Sequence, residues 1–255
     1  MKQVYLSILL MFMPMLASAA VEIDGIYYNL VTKAKQAEVT SNPNYYKGEV
    51  VIPESVPYNG DVYSVTTIGE NAFSGCSGLT SVTIPNTVTT IGNNAFCGCS
   101  GLTSIVIPSS VTSIGEGAFW GCRGLTSLSI PNSITSISDY TFYKCIGLTS
   151  ITIPNSATSI GEGAFADCTN LMSVTSNITE PYSINSNVFS TETYRKGILY
   201  IPAGTEKLYI RFDGWREFLN IMEIGSVGNI RGDLNNDGKV DAADIVELVN
   251  IIMGK

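Results

Sequence analysis

The sequence predicts an α/β solenoid: a stack of short coils, mostly short parallel strands with short helical turns, followed by a small EF-hand-like loop and helix. Three observations predict it. Five residue series recur in one register at a 23-residue spacing: Phe73, Phe96, Phe119, Phe142, Phe165; Cys76, Cys99, Cys122, Cys145, Cys168; Leu79, Leu102, Leu125, Leu148, Leu171; Ile68, Ile91, Ile114, Ile137, Ile160; and Pro85, Pro108, Pro131, Pro154. Inside each unit side chains alternate between two faces, Ile105 and Ile107 pointing one way and Ser104 and Val106 the other, the period of a strand. Residues 233–244 read DLNNDGKVDAAD, oxygen-bearing side chains at alternate positions around a glycine. A unit this short cannot bury its apolar side alone, so it must stack on its neighbours.

Composition narrows the function classes. Of 255 residues, 14% are charged and 45% hydrophobic, so a sizeable core forms. The net charge of -8 argues against nucleic acid and anionic membrane as partners. Histidine is absent, which removes Ser-His-Asp and Cys-His catalysis in their usual form and the commonest metal ligand.

Residues 1–19 read as a signal peptide: Lys2, an apolar run from Val4 to Leu16, and a small-residue site at Ala17-Ser18-Ala19. The run is too short to span a bilayer, so the mature chain is expected to be exported without a transmembrane segment. Residues 20–67 form an N-terminal cap and first irregular coil, with DGIYYNLV (24–31) and EVVIPESV (49–56) strand-like. Repeat ends need such atypical coils to cover an open core.

In the repeats at 68–171, each coil opens on a strand that a proline helps to end, since proline brings no N–H to the pairing. Val111 and Ile114 turn inward again on a second short strand. Gly115 to Phe119 suits a tight turn and a short helical piece. The coil at 137–146 departs from the others, with Ser138 for Gly and Thr141 for Ala. These I-P-x-x-[VIA]-T-[ST]-I-G-x-x-A-F-x-x-C-x-x-L runs resemble the BspA-like leucine-rich repeats of bacterial surface proteins. The resemblance implies a leucine-rich-repeat solenoid and a role in surface adhesion or in recognition of host proteins or glycans.

The five repeated cysteines hold one position in stacked coils, so they are expected as an inward ladder of free thiols packed as small apolar groups. Cys97 is the odd residue, two before Cys99. Residues 172–225 read as irregular last coils and a C-terminal cap, with an Ile-Pro strand near 200 and then a helix carrying Trp215 and Phe218.

After a linker at 226–232, the loop at 233–244 offers one Ca2+ site: side chains of Asp233, Asn235 and Asp237, the Lys239 carbonyl, then Asp241 and Asp244, with Gly238 at the sharp turn. Ile245, Leu248, Val249 and Ile252 make one apolar face of the helix that follows, a partner face. Loop and helix resemble one half of a type I dockerin, in which Asp at the last ligand position is the norm. That implies a cohesin-like partner, or a second copy, for the tail.

Two surfaces could carry a ligand. The strand side, with Ser81, Thr83, Ser104, Val106, Ser127, Ser129, Ser150 and Thr152, is nearly uncharged and suits either a regular polymer or plain cross-strand hydrogen bonding. The position after the repeat Phe becomes Trp120 and Tyr143 in neighbouring coils, with Arg123, Tyr140 and Lys144 close in register, a candidate ligand-binding patch. Glu116, Asp139 and Glu162 share a third position. Paired carboxylates there would allow glycoside hydrolysis, but a repeat position on a convex turn offers no cleft. The expectation is a non-enzymatic binding protein, secreted or at the cell surface, for a protein or glycan ligand. The rivals are a structural subunit assembled through the tail and, third, a glycan-active enzyme.

Overall fold

The computed structural model describes residues 20–225 and 244–246. The chain enters through β1 (Val21–Ile23), β2 (Ile26–Val31), β3 (Gln36–Thr40), β4 (Gly48–Val51), β5 (Ser55–Tyr58) and β6 (Asp61–Ile68). Asp24–Gly25 and Asn59–Gly60 close the β1–β2 and β5–β6 hairpins with both residues at positive φ, 50° and 82°, then 50° and 84°. Asx-Gly pairs adopt that backbone readily, and its twist matches the flanking strands. The antiparallel cap then presents a parallel edge, β3 on β6.

The coils follow as β7 (Leu79–Thr83), β8 (Thr90–Ile91), β9 (Ser104–Ile105), β10 (Ser113–Ile114), β11 (Ser127–Ser129), β12 (Ser136–Ile137), β13 (Ser150–Ile153), β14 (Ser159–Ile160) and β15 (Ser173–Ser176). Parallel ladders join like positions of successive coils, Ser81 to Ser104 on one wall and Thr90 to Ser113 on the other. The stack continues past the regular repeats through α1 (Thr191–Lys196), β16 (Ile198–Ile201), α2 (Glu206–Tyr209), a 3-10 turn at Trp215–Glu217 and β17 (Asn220–Glu223). The helix expected around Trp215 and Phe218 is thus two short pieces.

The expected helical turns in the repeats are not helices either. Ala118 N–H donates to Gly115 O at 3.3 Å, Trp120 N–H to Gly117 O at 2.9 Å and Cys122 N–H to Phe119 O at 3.1 Å, a run of tight turns. The amides between them reach the next coil: Gly117 to Asp139 O, Phe119 to Thr141 O and Gly121 to Tyr143 O. Gly117 and Gly121 sit at φ of 58° and 69°, which a right-handed helix cannot contain. The turn side is therefore a third hydrogen-bonded column.

Two ladders, of phenylalanines and of cysteines, run through the core beside the buried leucines and isoleucines. Phe73, Phe96, Phe119, Phe142, Phe165 and Phe189 stack with centroids 5.0 to 5.4 Å apart and planes within 9°. Tyr46 closes one end at 4.6 Å, while Tyr194, Trp215 and Phe218 close the other by turning against Phe189. All six cysteines are free, and the five repeat thiols are buried. Cys99, Cys122, Cys145 and Cys168 each donate S–H to the Phe carbonyl of the preceding coil at 3.0 to 3.1 Å.

Burial pushes the Cys99 thiol up to about 12 and Cys122 well above the usual thiol range. A hydrogen bond with Cys168, then burial, raises Cys145 as well. Burial also lifts Tyr46 and Tyr209 to about 12. The unfolded chain ionises these groups first, near 9.0 for a thiol and 10.0 for a tyrosine. Stability is therefore full below the unfolded values and is lost as pH rises toward the folded ones. Urea midpoints are expected to fall between about pH 8 and pH 11, with Cys97, only half-buried, alkylated in the native state and the repeat thiols protected until unfolding.

One joint differs from the rest. Both strand ladders stop between β9 and β11 and between β10 and β12, the same pair of coils. The cause is Ser138. Its counterparts Gly92, Gly115 and Gly161 let backbones approach so closely that an added Cβ on Gly115 would lie 2.5 Å from the Asn93 nitrogen, and on Gly161 2.5 Å from that of Asp139. Ser138 carries that Cβ, and its hydroxyl donates to Ile114 O at 2.7 Å. Gly115 and Gly161 instead bond the preceding coil through their own N–H, to Ile91 O and Ile137 O. Ser138→Gly is expected to close this seam and raise stability by about 1 kcal/mol, the backbone bonds regained less the glycine entropy, read as a higher urea midpoint.

Candidate functional site

The seam runs beside the patch expected from Trp120, Arg123, Tyr140, Tyr143 and Lys144. The turn column brings three of these rings together: Trp120 to Tyr143 at 4.6 Å, Trp120 to Tyr140 at 5.8 Å and Tyr140 to Tyr143 at 5.8 Å. Lys144 Nζ lies over the Tyr143 ring at 5.0 Å from its centroid. Trp120, Arg123 and Lys144 are exposed, Tyr140 and Tyr143 half-buried. Trp120 shows 37% of its surface, whereas Trp215, the other of the chain's two tryptophans, is fully buried.

The backbone beneath is strained. Tyr140 and Lys144 have φ of 54° and 59°. Other coils fill these two positions with Asn71, Asn94, Gly117 and Gly163, and with Gly75, Gly98, Gly121 and Asp167. Glycine takes this conformation freely and short polar Asn or Asp tolerates it, but for an aromatic or a long side chain it costs about 1–2 kcal/mol. The ring of Tyr140 lies across Gly163 of the next coil, where a Cβ would come 2.6 Å from its edge. A glycine at 163 thus meets both the turn and the ring above it. The Tyr140 hydroxyl bonds the Glu162 carboxylate, and that bond, some burial and the charges of Glu162, Asp139 and Glu116 raise its pKa.

The shared acidic position holds turns. Asn93 Oδ1 accepts from Glu116 N–H at 2.9 Å, Asp139 Oδ1 from Glu162 N–H at 2.7 Å, and Glu162 Oε1 from Asn187 Nδ2 at 3.0 Å. Sequence reasoning missed the groove beside them. It encloses about 580 Å3 and is lined by Ser113, Glu116, Ser136, Ser138, Asp139 and Ser159 among others. Its signal was the recurring serine of the second strand, and Ser136 Oγ lies 2.7 Å from Ser159 Oγ.

The strand-side surface is a second groove of about 650 Å3, lined by Ser104, Val106, Ser127, Ser129, Ser150 and Thr152 among others. Val106 is 79% exposed there. The neighbouring threonines serve the stack itself: Thr103 Oγ1 donates to Thr80 O and Thr149 Oγ1 to Thr126 O. Asp233, Asn235, Asp237, Lys239 and Asp241 of the expected calcium loop lie outside the described residues, as do Leu248, Val249 and Ile252 of the helix, the linker and the signal peptide. Of that module, residues 244–246 are helical, with Asp244 buried and Ile245 and Val246 exposed. Among the described residues no helix is long and apolar enough to cross a membrane.

No curated protein matches the chain. Among solved structures it is similar to a leucine rich repeat protein of T. pallidum, with 22% identity, 91% of this chain and 95% of that one covered and a TM-score of 0.57. A leucine-rich repeat protein of Bacteroides ovatus matches at 24% identity over 81% of this chain and 71% of that one, with a TM-score of 0.52. One of Eubacterium ventriosum matches at 28% identity over 68% and 44%, with a TM-score of 0.56. The family described as the BspA type leucine rich repeat region matches residues 64–196 in 6 copies, about half of the chain. The chain belongs to the BspA-type leucine-rich repeat proteins.

Proposed function

We propose that this is an exported recognition protein without catalytic activity, working at the cell surface or in the medium, with the solenoid as its binding body. Trp120, Tyr140 and Tyr143, with Arg123 and Lys144, are its contact patch. The observation that carries this reading is the left-handed backbone at Tyr140 and Lys144, where neighbouring coils use residues that suit it. Strain kept at an exposed site, where Gly would relieve it, points to function. The three rings lock one another, so little side-chain freedom is lost on binding.

Capture from host matrix proteins, glycans and the producing cell's own surface extract, using the mature chain, tests it. Trp120→Ala plus Tyr143→Ala is expected to weaken capture tenfold or more, about 1.4 kcal/mol. Undiminished capture by that variant overturns the patch.

A second reading gives the tail an assembly role, on the strength of the DLNNDGKVDAAD motif. One Ca2+ held by Asp233, Asn235, Asp237, Lys239, Asp241 and Asp244 would order the loop and present Ile245, Leu248, Val249 and Ile252 to a cohesin-like partner or a second copy. Asp233→Ala is expected to abolish calcium binding in calorimetry and any association that a chelator reverses. Association indifferent to chelator rules this reading out.

A further inference from the structure

We propose that the groove beside the aromatic patch, together with Trp120 and Tyr140, takes an uncharged carbohydrate chain laid along the solenoid axis. This rests on the recognition reading above and names the ligand class of that site. Three features of the surface converge on it.

The groove offers hydroxyls and carboxylates and no cation. Ser113, Ser136 and Ser159 come from successive second strands, Glu116 and Asp139 from the turns beside them. Carboxylate oxygens accept only, and serine hydroxyls both donate and accept, which answers a ligand dense in hydroxyl groups. The aromatic ledge is contiguous with this row, because Gly117 follows Glu116 and Tyr140 follows Asp139 in the chain. The face of a sugar ring presents C–H groups, which lie against the exposed ring of Trp120 while the ring's hydroxyls reach into the groove. The serines and turn carboxylates recur coil by coil, at about 4.8 Å where β12 pairs with β14, which suits a ligand of repeating units.

Charge decides between sugars. The carboxylates of Glu116, Asp139 and Glu162 stand in or beside the groove, and the chain as a whole is at -8. Within the groove a sulfated or uronic chain is repelled and a neutral one is not, Arg123 and Lys144 standing outside its lining. An extended peptide is a poorer match. Strand addition draws its specificity from pockets for alternate side chains, and this groove offers serine hydroxyls and carboxylates instead.

The test uses the full mature chain in native affinity gels cast with a neutral glucan, mannan, xylan or galactan, with heparin as the polyanion. The expected result is retardation by at least one neutral polymer and none by heparin, and a shift of tryptophan emission with the matching oligosaccharide. That shift reports Trp120, because Trp215 is fully buried. Tyr140→Gly is expected to weaken retardation about tenfold or more while leaving the melting temperature unchanged or higher, since it relieves the left-handed backbone. Retardation unchanged in Tyr140→Gly and in Trp120→Ala overturns the site. No retardation by any neutral polymer, or retardation by heparin alone, overturns the ligand class. If a protein is then captured through Trp120 and Tyr143, the recognition reading stands without the sugar; if nothing is captured, both fall.

Discussion

Phe119→Ala is expected to remove about 3–5 kcal/mol of stability, the range for truncating a fully buried aromatic ring. Phe119 lies between Phe96 at 5.2 Å and Phe142 at 5.4 Å, with planes 7° and 6° from parallel. The truncation leaves two ring faces without a partner at once. The cavity cannot collapse easily, because the coil spacing on the turn side is set by bonds such as Phe119 N–H to Thr141 O at 2.8 Å. The loss is a large part of the whole stability of an ordinary domain. Chemical denaturation of the variant beside the parent chain measures it. A loss under about 1 kcal/mol would mean that the stack closes over the gap.

Gly161→Ala is expected to be nearly as harmful, at about 2–3 kcal/mol, for a different reason. The added methyl would sit 2.5 Å from the Asp139 nitrogen and 2.7 Å from the Ser138 carbonyl carbon, so the coils must part. Parting endangers Gly161 N–H to Ile137 O and Thr158 N–H to Thr135 O, both 2.8 Å. Ser138 already shows how the chain accommodates a Cβ at this repeat position. Gly121→Ala is the control: its φ is 69°, but the nearest atom to an added Cβ is 3.9 Å away, so only the left-handed backbone cost of about 1 kcal/mol applies. Equal losses in the two variants would refute the close-approach explanation.

The repeats were legible because burial at Phe, Cys, Leu and Ile positions is written identically in each coil, and the ladders follow from register alone. The turns were misread as helical because Gly-x-x-Ala-Phe shares its spacing with a helical step. Only the positive φ at Gly117 and Gly121 separates the two, and a sequence does not display φ. The signal for the candidate patch was present but faint. Tyr140 stands where the aligned coils have Asn or Gly, and Lys144 where most have Gly. Ser138 was visible as a departure, yet its effect depends on a backbone distance of a few ångströms between coils. The groove could not be read, since its walls come from four coils.

The seam gives the molecule a property that no single coil has. A solenoid behaves as a one-dimensional row of units coupled to nearest neighbours, and its weakest coupling decides where the row divides. Here that coupling falls between two blocks. One keeps the hairpin cap and Trp120; the other keeps the aromatic cap, Tyr140 and Tyr143. A ligand seated across those three rings is a clamp on the joint where both strand ladders break. Occupancy would therefore register as a change in how the whole row melts, from two blocks toward one.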